Sequence, residues 1–463
     1  MSVNEVRAAL ENVADFLENY SVLANCHMVH YFSHEYHKTV LTDEMKLSLD
    51  CIHKPGDIPL FLMKQASFKS DFQFSNVKTL TKNYLENFLS GIRNNSFLSL
   101  SKIFQVESLE RAFEFNPVGD KKSYEIQHVC NILLSKWKRE DLDSVLDIGS
   151  GKGLLGQTLS AISGWRVVGL DVMNLNETEN TTREKYVKRV IPKNIDVPQK
   201  AGSFRHQSCY ITEDMDLQEI LKSKNPRNES KTGVTGLHTC GNLASTSLKL
   251  FSSNPFLTHV CSVACCYHLL EEKFASNPFA SGPIVPQDRN RKILTSSFGF
   301  PLSQFLENKK FSVGRNARMM ASQSVHRLTK EECSDTIFYR AILEVMLCEK
   351  AGWLKEEDPH SHFKVGRVKK VSNFFDYARR ASSRIPDVKV TEEDCELYMK
   401  RFSNDKTNFF KFYYLRNCLA PVVETVILLD RLLFLLEQDI TASIVQVFDP
   451  AMSPRCFAIL GKK

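Results

Sequence analysis

The stretch SVACCYHLL (262–270) runs from a strand-like segment into two thiols, a phenol and an imidazole: Cys265, Cys266, Tyr267 and His268. A second group of the same kind stands in GLHTCGNLAS (236–245), with His238 and Cys240. Histidine titrates near neutrality and is the usual general base, so either imidazole could take a proton from a nucleophile. The same side chains (His238, Cys240, Cys265 or Cys266, and His268) would also suit zinc. Against zinc, structural sites use closely spaced Cys-x-x-Cys pairs, and adjacent cysteines cannot easily both point at one ion from a strand. No metal is therefore expected. A third reading is plain packing, because free cysteine is commonly core.

A different chemistry is offered by SVLDIGSGKGLLGQTL (144–159). An apolar run ends in Asp147, and Gly149, Ser150, Gly151 and Gly153 follow before a helical pattern opens. Glycines let the backbone adopt positive φ and let a ligand touch the main chain. A helix start supplies free N–H groups and the positive end of a dipole. A P-loop would need Ser or Thr after Lys152, where Gly153 stands. A dinucleotide fingerprint laid on Gly151, Gly153 and Gly156 begins too far beyond the strand, and Asp147 would repel a pyrophosphate. S-adenosyl-L-methionine has no phosphate. Its ammonium suits Asp147, and its carboxylate suits the N–H groups at the helix start. Asp171 closes the next run, WRVVGLDV, where a carboxylate could accept both ribose hydroxyls. Asp214, in YITEDMD, could meet the adenine amino group; Glu213 or Asp216 would serve the same geometry, and so would a solvated loop acid.

These residues need strands that end side by side. From about 121 the chain alternates DSVLDI, WRVVGLDV, QSCYIT, GVTGLH and THVCSVACC with the helical patterns GLLGQTLSAI, NETENTTREKYVKRV, MDLQEILKS and LASTSLKLF. Such alternation predicts an α/β fold, a doubly wound parallel sheet covered by helices on both faces. Ligands of such sheets bind at the carboxyl ends of the strands. His238 and Cys240 end one strand and Cys265 to His268 end its neighbour, which makes the pair an acceptor pocket. Ahead of the core, KKSYEIQHVCNILLSKW (121–137) is an amphipathic helix by Ile126, Val129, Ile132, Leu133 and Trp137. Four regions follow: an N-terminal helical region (1–120), the Rossmann-like core (121–285), a mostly helical, basic insertion (286–442), and a closing hairpin (443–463). The hairpin is formed by SIVQVFDP and CFAILGKK and completes the core sheet.

Composition narrows the class. With 463 residues, 43% hydrophobic and 10% aromatic, the chain can bury a large core, and a net charge of +6 permits nucleic acid without demanding it. The 13 cysteines show no framework spacing, and the start carries acids and no apolar run. Reduced thiols in the cytoplasm, or the nucleus, are the expectation. VVETVILLDRLLFLLEQ (422–438) is interrupted by Glu424, Asp430 and Arg431, so it reads as a buried helix and no membrane span is expected.

Taken together, VLDIGSGKGLLG, GLHTCGNLASTSLKLF, SVACCYHLL, SSFGFPLSQFL and GRNARMMASQ resemble the methyltransferase-like protein 25 family, some members of which carry the older name ribosomal RNA adenine dimethylase domain-containing protein. KKSYEI (121–126) resembles that family's Lys-Lys-x-His/Tyr-Glu segment. The His-x-Cys-Gly and Cys-Cys-x-His pair is also similar to the tRNA 2′-O-methyltransferases that modify the acceptor stem. The resemblance implies a Rossmann-like class I methyltransferase sheet using S-adenosyl-L-methionine. It assigns Asp147, Gly149, Gly151, Gly153 and Asp171 to the cofactor, and His238, Cys240, Cys266, Tyr267 and His268 to the acceptor pocket. Implied partners are an RNA or a protein of the translation machinery, with ribosome or tRNA association. Adenine N-methylation in this fold uses an Asn/Asp-Pro-Pro-Tyr-type loop. Here that place is HTCGN, so a ribose hydroxyl or a protein side chain fits the histidines better. A methyltransferase fold that only binds RNA or protein is the alternative, although a scaffold has no need of the loop and both acids.

Two further stretches stay open between readings. CHMVHYFSHEYH (26–37) would put His27, His30, His34 and His37 within about an 80° arc of one helix face, as a metal face or as a solvated or interface stripe. FKVGRVKKVSNFFDYARRASSR (363–384) interleaves basic and aromatic residues, as an RNA platform or as an amphipathic helix that turns Phe374, Phe375 and Tyr377 inward. RNRKILTSSFGFPLSQFLENKKF (289–311) and GRNARMM (314–320) add positive charge to the same insertion.

Overall fold

The computed structural model describes residues 2–63, 79–100, 104–105, 120–175, 180–191, 202–221, 231–274, 298–329, 334–352, 368–383, 385 and 388–463. Residues 289–297, 363–367 and 384, which belong to the basic stretches above, lie outside the described residues.

Eight strands form one sheet: β1 (Phe104–Gln105), β2 (Ser144–Ile148), β3 (Arg166–Asp171), β4 (Ser203–Ser208), β5 (Thr232–Thr239), β6 (Leu257–Ala264), β7 (Thr441–Gln446) and β8 (Phe457–Lys462). Their order is β1-β7-β8-β6-β5-β2-β3-β4. The β2–β3, β3–β4, β2–β5 and β5–β6 pairs are parallel, with Asp147 opposite Gly169 on one side and Thr235 on the other. The chain winds outward from β2 in both directions, so the end of β2 is the switch point where such sheets bind ligands. This is a Rossmann-like methyltransferase architecture. β8 runs antiparallel to both β6 and β7, so the chain's last segments are hydrogen-bonded into the same sheet.

β2 is buried at every position, as a central strand covered on both faces must be. β4 departs from the expected QSCYIT: it begins at Ser203 and ends at Ser208. It is the edge strand and half its residues are exposed, so its apolar alternation is too weak to set the boundaries. β1 falls within a region that reads as helical and pairs with β7 over two residues.

The helix Ala420–Leu436 is buried along nearly all its length and packs on the helices Val3–Asn19 and Arg315–Ala321. Val422, Val423, Val426, Ile427, Leu429, Leu432, Leu433 and Leu435 are all in the core. Burial of each such side chain contributes roughly 1.5–3 kcal/mol, which lets the helix tolerate Glu424, Asp430 and Arg431 at 4%, 0% and 2% exposure. Asp430 accepts from Leu302 N, Ser303 N and Ser303 Oγ at 2.8, 2.9 and 2.6 Å. Among the described residues, no helix is long and apolar enough to cross a membrane.

The four early histidines do not share a helix face. Met28–His30 is a single 3-10 turn, Glu35 adopts φ 48°, and a short helix restarts at Tyr36. His30 Nδ1 lies 3.0 Å from buried Glu344. In the late basic stretch, Phe374 and Tyr377 are buried on the helix Phe374–Ser382, Phe375 is half-buried, and Arg379 and Arg380 are exposed. The inward-packing reading holds for these aromatics.

Candidate active site

The loop after β2 is a tight backbone cradle. Gly149, Gly151 and Gly153 have φ of 71°, 52° and 69°, values that side-chain-bearing residues rarely adopt. Gly149 N and Ser150 N both donate to Leu170 O, at 2.8 and 3.1 Å, which ties the loop to β3. Ser150 Oγ lies 3.4 Å from His206 Nδ1 on β4, and His206 Nε2 lies 2.7 Å from Met173 O. Gly153 then caps the helix Leu154–Ser163.

Asp171 Oδ2 accepts from Gly151 N at 2.8 Å, and its Oδ1 accepts from Met173 N at 3.0 Å. A carboxylate has about four acceptor sites, so room for ribose hydroxyls remains. Asp147 is 1% exposed, and its Oδ2 has no hydrogen-bond partner. Burial pushes its carboxyl up to about 7; the Gly156 amide opposes this and the Asp171 charge reinforces it. A Cβ added at Gly151 would meet nothing within 4 Å. A buried acid with one unpartnered oxygen, an open backbone cradle and a carboxylate with spare acceptor capacity fit S-adenosyl-L-methionine. Of the three acids after β4, Glu213 is held by Lys249 Nζ at 2.7 Å, and Asp216 accepts the Gln218 and Glu219 amides. Asp214 is exposed, and its carboxyl is lowered by hydrogen bonding to Thr212.

His238 stands where β5 loses register with β6, between Leu237 and Thr239, and has φ 68°. A bulge re-aims a side chain at a strand end, and a non-glycine residue held at positive φ stores strain of the kind that collects at functional sites. Its Nε2 lies 2.9 Å from Glu125 Oε2, on the helix Lys121–Lys136. Glu125 is 2% exposed; its Oε1 accepts from Ser453 Oγ at 2.7 Å, with Lys121 Nζ 3.4 Å away. Burial would raise this acid, but the bonds from His238 and Ser453 and the charges of His238 and Lys121 outweigh it and hold it at about 2. An ionised carboxylate only accepts, so Nε2 is the nitrogen that donates to Glu125, and Nδ1 is the one left to exchange a proton. The His238 side chain is 40% exposed. A partly exposed imidazole oriented by a buried acid is a general-base arrangement. Sequence reasoning passed over Glu125, although it lies on the buried face of KKSYEIQHVC, four residues before Val129.

Cys240 follows β5 and heads the helix Asn242–Ser253. Its Sγ lies 2.9 Å from Cys265 Sγ and 3.4 Å from Cys266 Sγ, and the latter two are 3.5 Å apart. The objection that neighbouring cysteines diverge is overturned. β6 ends at Ala264, and the turn into Tyr267–Leu269 brings both sulfurs to one side. Contact with Cys265 lowers the Cys240 thiol to about 6, against its burial and with help from Cys266 and His238. Contact with Cys240 and burial push Cys265 far up, while burial and then Cys240 raise Cys266.

Tyr267 does not line the pocket. It is 2% exposed and donates to Glu424 Oε1 at 2.9 Å, with the Arg431 guanidinium 5.8 Å from its ring centre. His268 is half-buried, and its Nδ1 has no hydrogen-bond partner. Burial, then the charges of Arg315, Arg318 and Arg455, hold its imidazole below the ordinary range. Arg318 is itself engaged by Tyr267 O at 2.9 Å, Leu270 O and Glu272. The structure thus joins His238, Cys240 and Cys266 in one group, sends Tyr267 to the core, and gives His268 an arginine-lined setting.

The sheet order, the loop and the acids define a methyltransferase domain, and residues 121–273 match a family model described as "Methyltransferase domain". Over 263 residues the chain is 34% identical to "Probable methyltransferase-like protein 25" of Homo sapiens, which covers 55% of this chain and 40% of the human protein. The Mus musculus protein of the same name gives the same identity and coverage. The similarity carried by the sequence motifs is therefore shown, while the matched stretch spans less than half of either relative. No solved structure matches the chain.

Proposed function

We propose that this chain is an S-adenosyl-L-methionine-dependent methyltransferase acting in the cytoplasm on a macromolecular acceptor that must lose a proton, with an RNA hydroxyl favoured over a protein side chain. The observation that carries this reading is the Glu125–His238 pair at the strand end beside the loop of Gly149, Gly151 and Gly153. When bound, the cofactor supplies an electrophilic methyl group. Asp147 and the loop amides would hold its methionine end, Asp171 its ribose, and Asp214 its adenine. His238 Nδ1 takes the acceptor's proton, and Glu125 stabilises the imidazolium that results. Of the arginines around His268, Arg315 is exposed and supplies positive charge suited to a phosphate backbone. A tRNA or ribosomal RNA is the acceptor most consistent with that field.

The test is transfer of labelled methyl from the cofactor into extract of cells lacking the protein, followed by ribonuclease or protease digestion. Label released by ribonuclease, and absent with His238→Ala, is expected. Label released only by protease moves the acceptor to protein, and no label in either fraction contradicts the reading.

A further inference from the structure

We infer that Cys240, Cys265 and Cys266 form a three-thiolate site for one zinc ion, with a fourth coordination position open to solvent. The three sulfurs come from the ends of adjacent parallel strands and meet at 2.9, 3.4 and 3.5 Å. They are the group of potential ligands whose donor atoms all lie within 4.8 Å of one another among the described residues. Three sulfurs bound to zinc at about 2.3 Å stand roughly 3.7 Å apart in a tetrahedron, so each pair need open by less than about 1 Å. A disulfide would need one pair to close to about 2.05 Å and would leave the third thiol without a role.

The surroundings fit a site of net negative charge. Three thiolates and a divalent ion sum to one negative charge, which a buried site must offset. Arg431 is 2% exposed and lies within electrostatic reach of Cys265, and its Nε and Nη2 have no hydrogen-bond partner. Arg455 stands in the same relation to Cys266, and its buried Nε is likewise without a partner. Arg431 also borders Tyr267 and Asp430, and Arg455 donates to Ser322 O, and both leave positive charge near the sulfurs that a zinc thiolate would use. Cys240 also heads the twelve-residue helix Asn242–Ser253, whose positive end favours a thiolate. Because Cys240 reaches the surface, the ion has an entry path. Three protein ligands and one open position is the arrangement of reactive rather than structural zinc.

The site does not depend on the proposed activity. Full-length protein produced with added zinc and dialysed against a weak chelator is analysed for metals by mass spectrometry. About one zinc per chain is expected, falling at least tenfold in Cys240→Ser and in Cys266→Ser, with the circular-dichroism spectrum unchanged. Cobalt in place of zinc should give a thiolate charge-transfer band that both variants lose. Metal-free wild type whose three thiols all react with a thiol reagent in the native state overturns the inference. So does a Cys240–Cys265 disulfide in protein isolated under thiol-blocking conditions, or zinc retained undiminished in the Cys240→Ser, Cys266→Ser double variant. Cofactor binding, read separately by calorimetry, distinguishes failure of this site from failure of the proposed activity.

Discussion

Glu125→Gln removes one negative charge from the centre of the candidate site while keeping its shape. In the folded chain the acid is held at about 2 against an ordinary value of 4.5. That difference corresponds to about 3 kcal/mol of stabilisation, and to about 2 kcal/mol once solvent screening at the 40% exposed His238 is allowed for. A group depressed in the folded state contributes fully above its unfolded value and loses that contribution as pH falls through the folded one. The variant should therefore be less stable by about 2 kcal/mol at pH 7, with the gap unchanged down to about pH 5 and closing between there and about pH 2. Urea unfolding followed by circular dichroism at several pH values measures this. The same variant removes the carboxylate bonded to His238 that stabilises its protonated form, so methyl transfer should fall by roughly 10²–10⁴ at constant cofactor affinity. An equal gap at every pH, or no gap at pH 7, would refute an ionised Glu125 paired with His238.

Asp147 behaves in the opposite sense. Its folded value of about 7 exceeds the ordinary 3.8, so its ionisation destabilises the fold increasingly from about pH 4 and fully above pH 7. Asp147→Asn should stabilise cofactor-free protein at pH 8, by up to about 4 kcal/mol, and leave its stability unchanged at pH 4. It should also weaken cofactor binding at least tenfold, which calorimetry reads. Tyr267→Phe leaves Glu424 Oε1 without its donor; because burial pushes that acid up to about 8, the loss is that of a neutral bond, about 1–3 kcal/mol. Denaturant unfolding should show that loss with cofactor affinity unchanged, and the reverse pattern would return Tyr267 to the pocket.

The strands and the loop are legible in the sequence because central parallel strands are continuous apolar runs and the loop's glycines have a conformational requirement. Asp147 and Asp171 follow from the same reasoning, since strand ends fix where their carboxylates must be. What the sequence does not disclose are partners supplied by remote segments. Glu125 is on a helix before β2 and meets His238 only in the folded sheet, where Ser453 of the last turn donates to Glu125 in turn. Tyr267 reads as a pocket residue beside Cys266, yet a one-residue step in a 3-10 turn sends it into the core toward Glu424. The meeting of three sulfurs depends on where β6 stops, which strand patterns fix only to within a few residues. The rings of His27, His30 and His34 do lie in series, with centres 5.2 Å apart, but around a 3-10 turn rather than on a helix face, and left-handed Glu35 interrupts the pattern before His37.

The central claim is that Asp147, the glycine loop and Asp171 form a cofactor site. Titration of the full chain with S-adenosyl-L-methionine and with its demethylated product, by calorimetry, tests it most directly. The account predicts one site per chain for each, weakened roughly ten- to a hundredfold in Asp171→Ala, because a hydrogen bond to a charged group is worth about 1.5–3 kcal/mol. Absence of binding by the wild type, or unaltered affinity in Asp171→Ala, would contradict it.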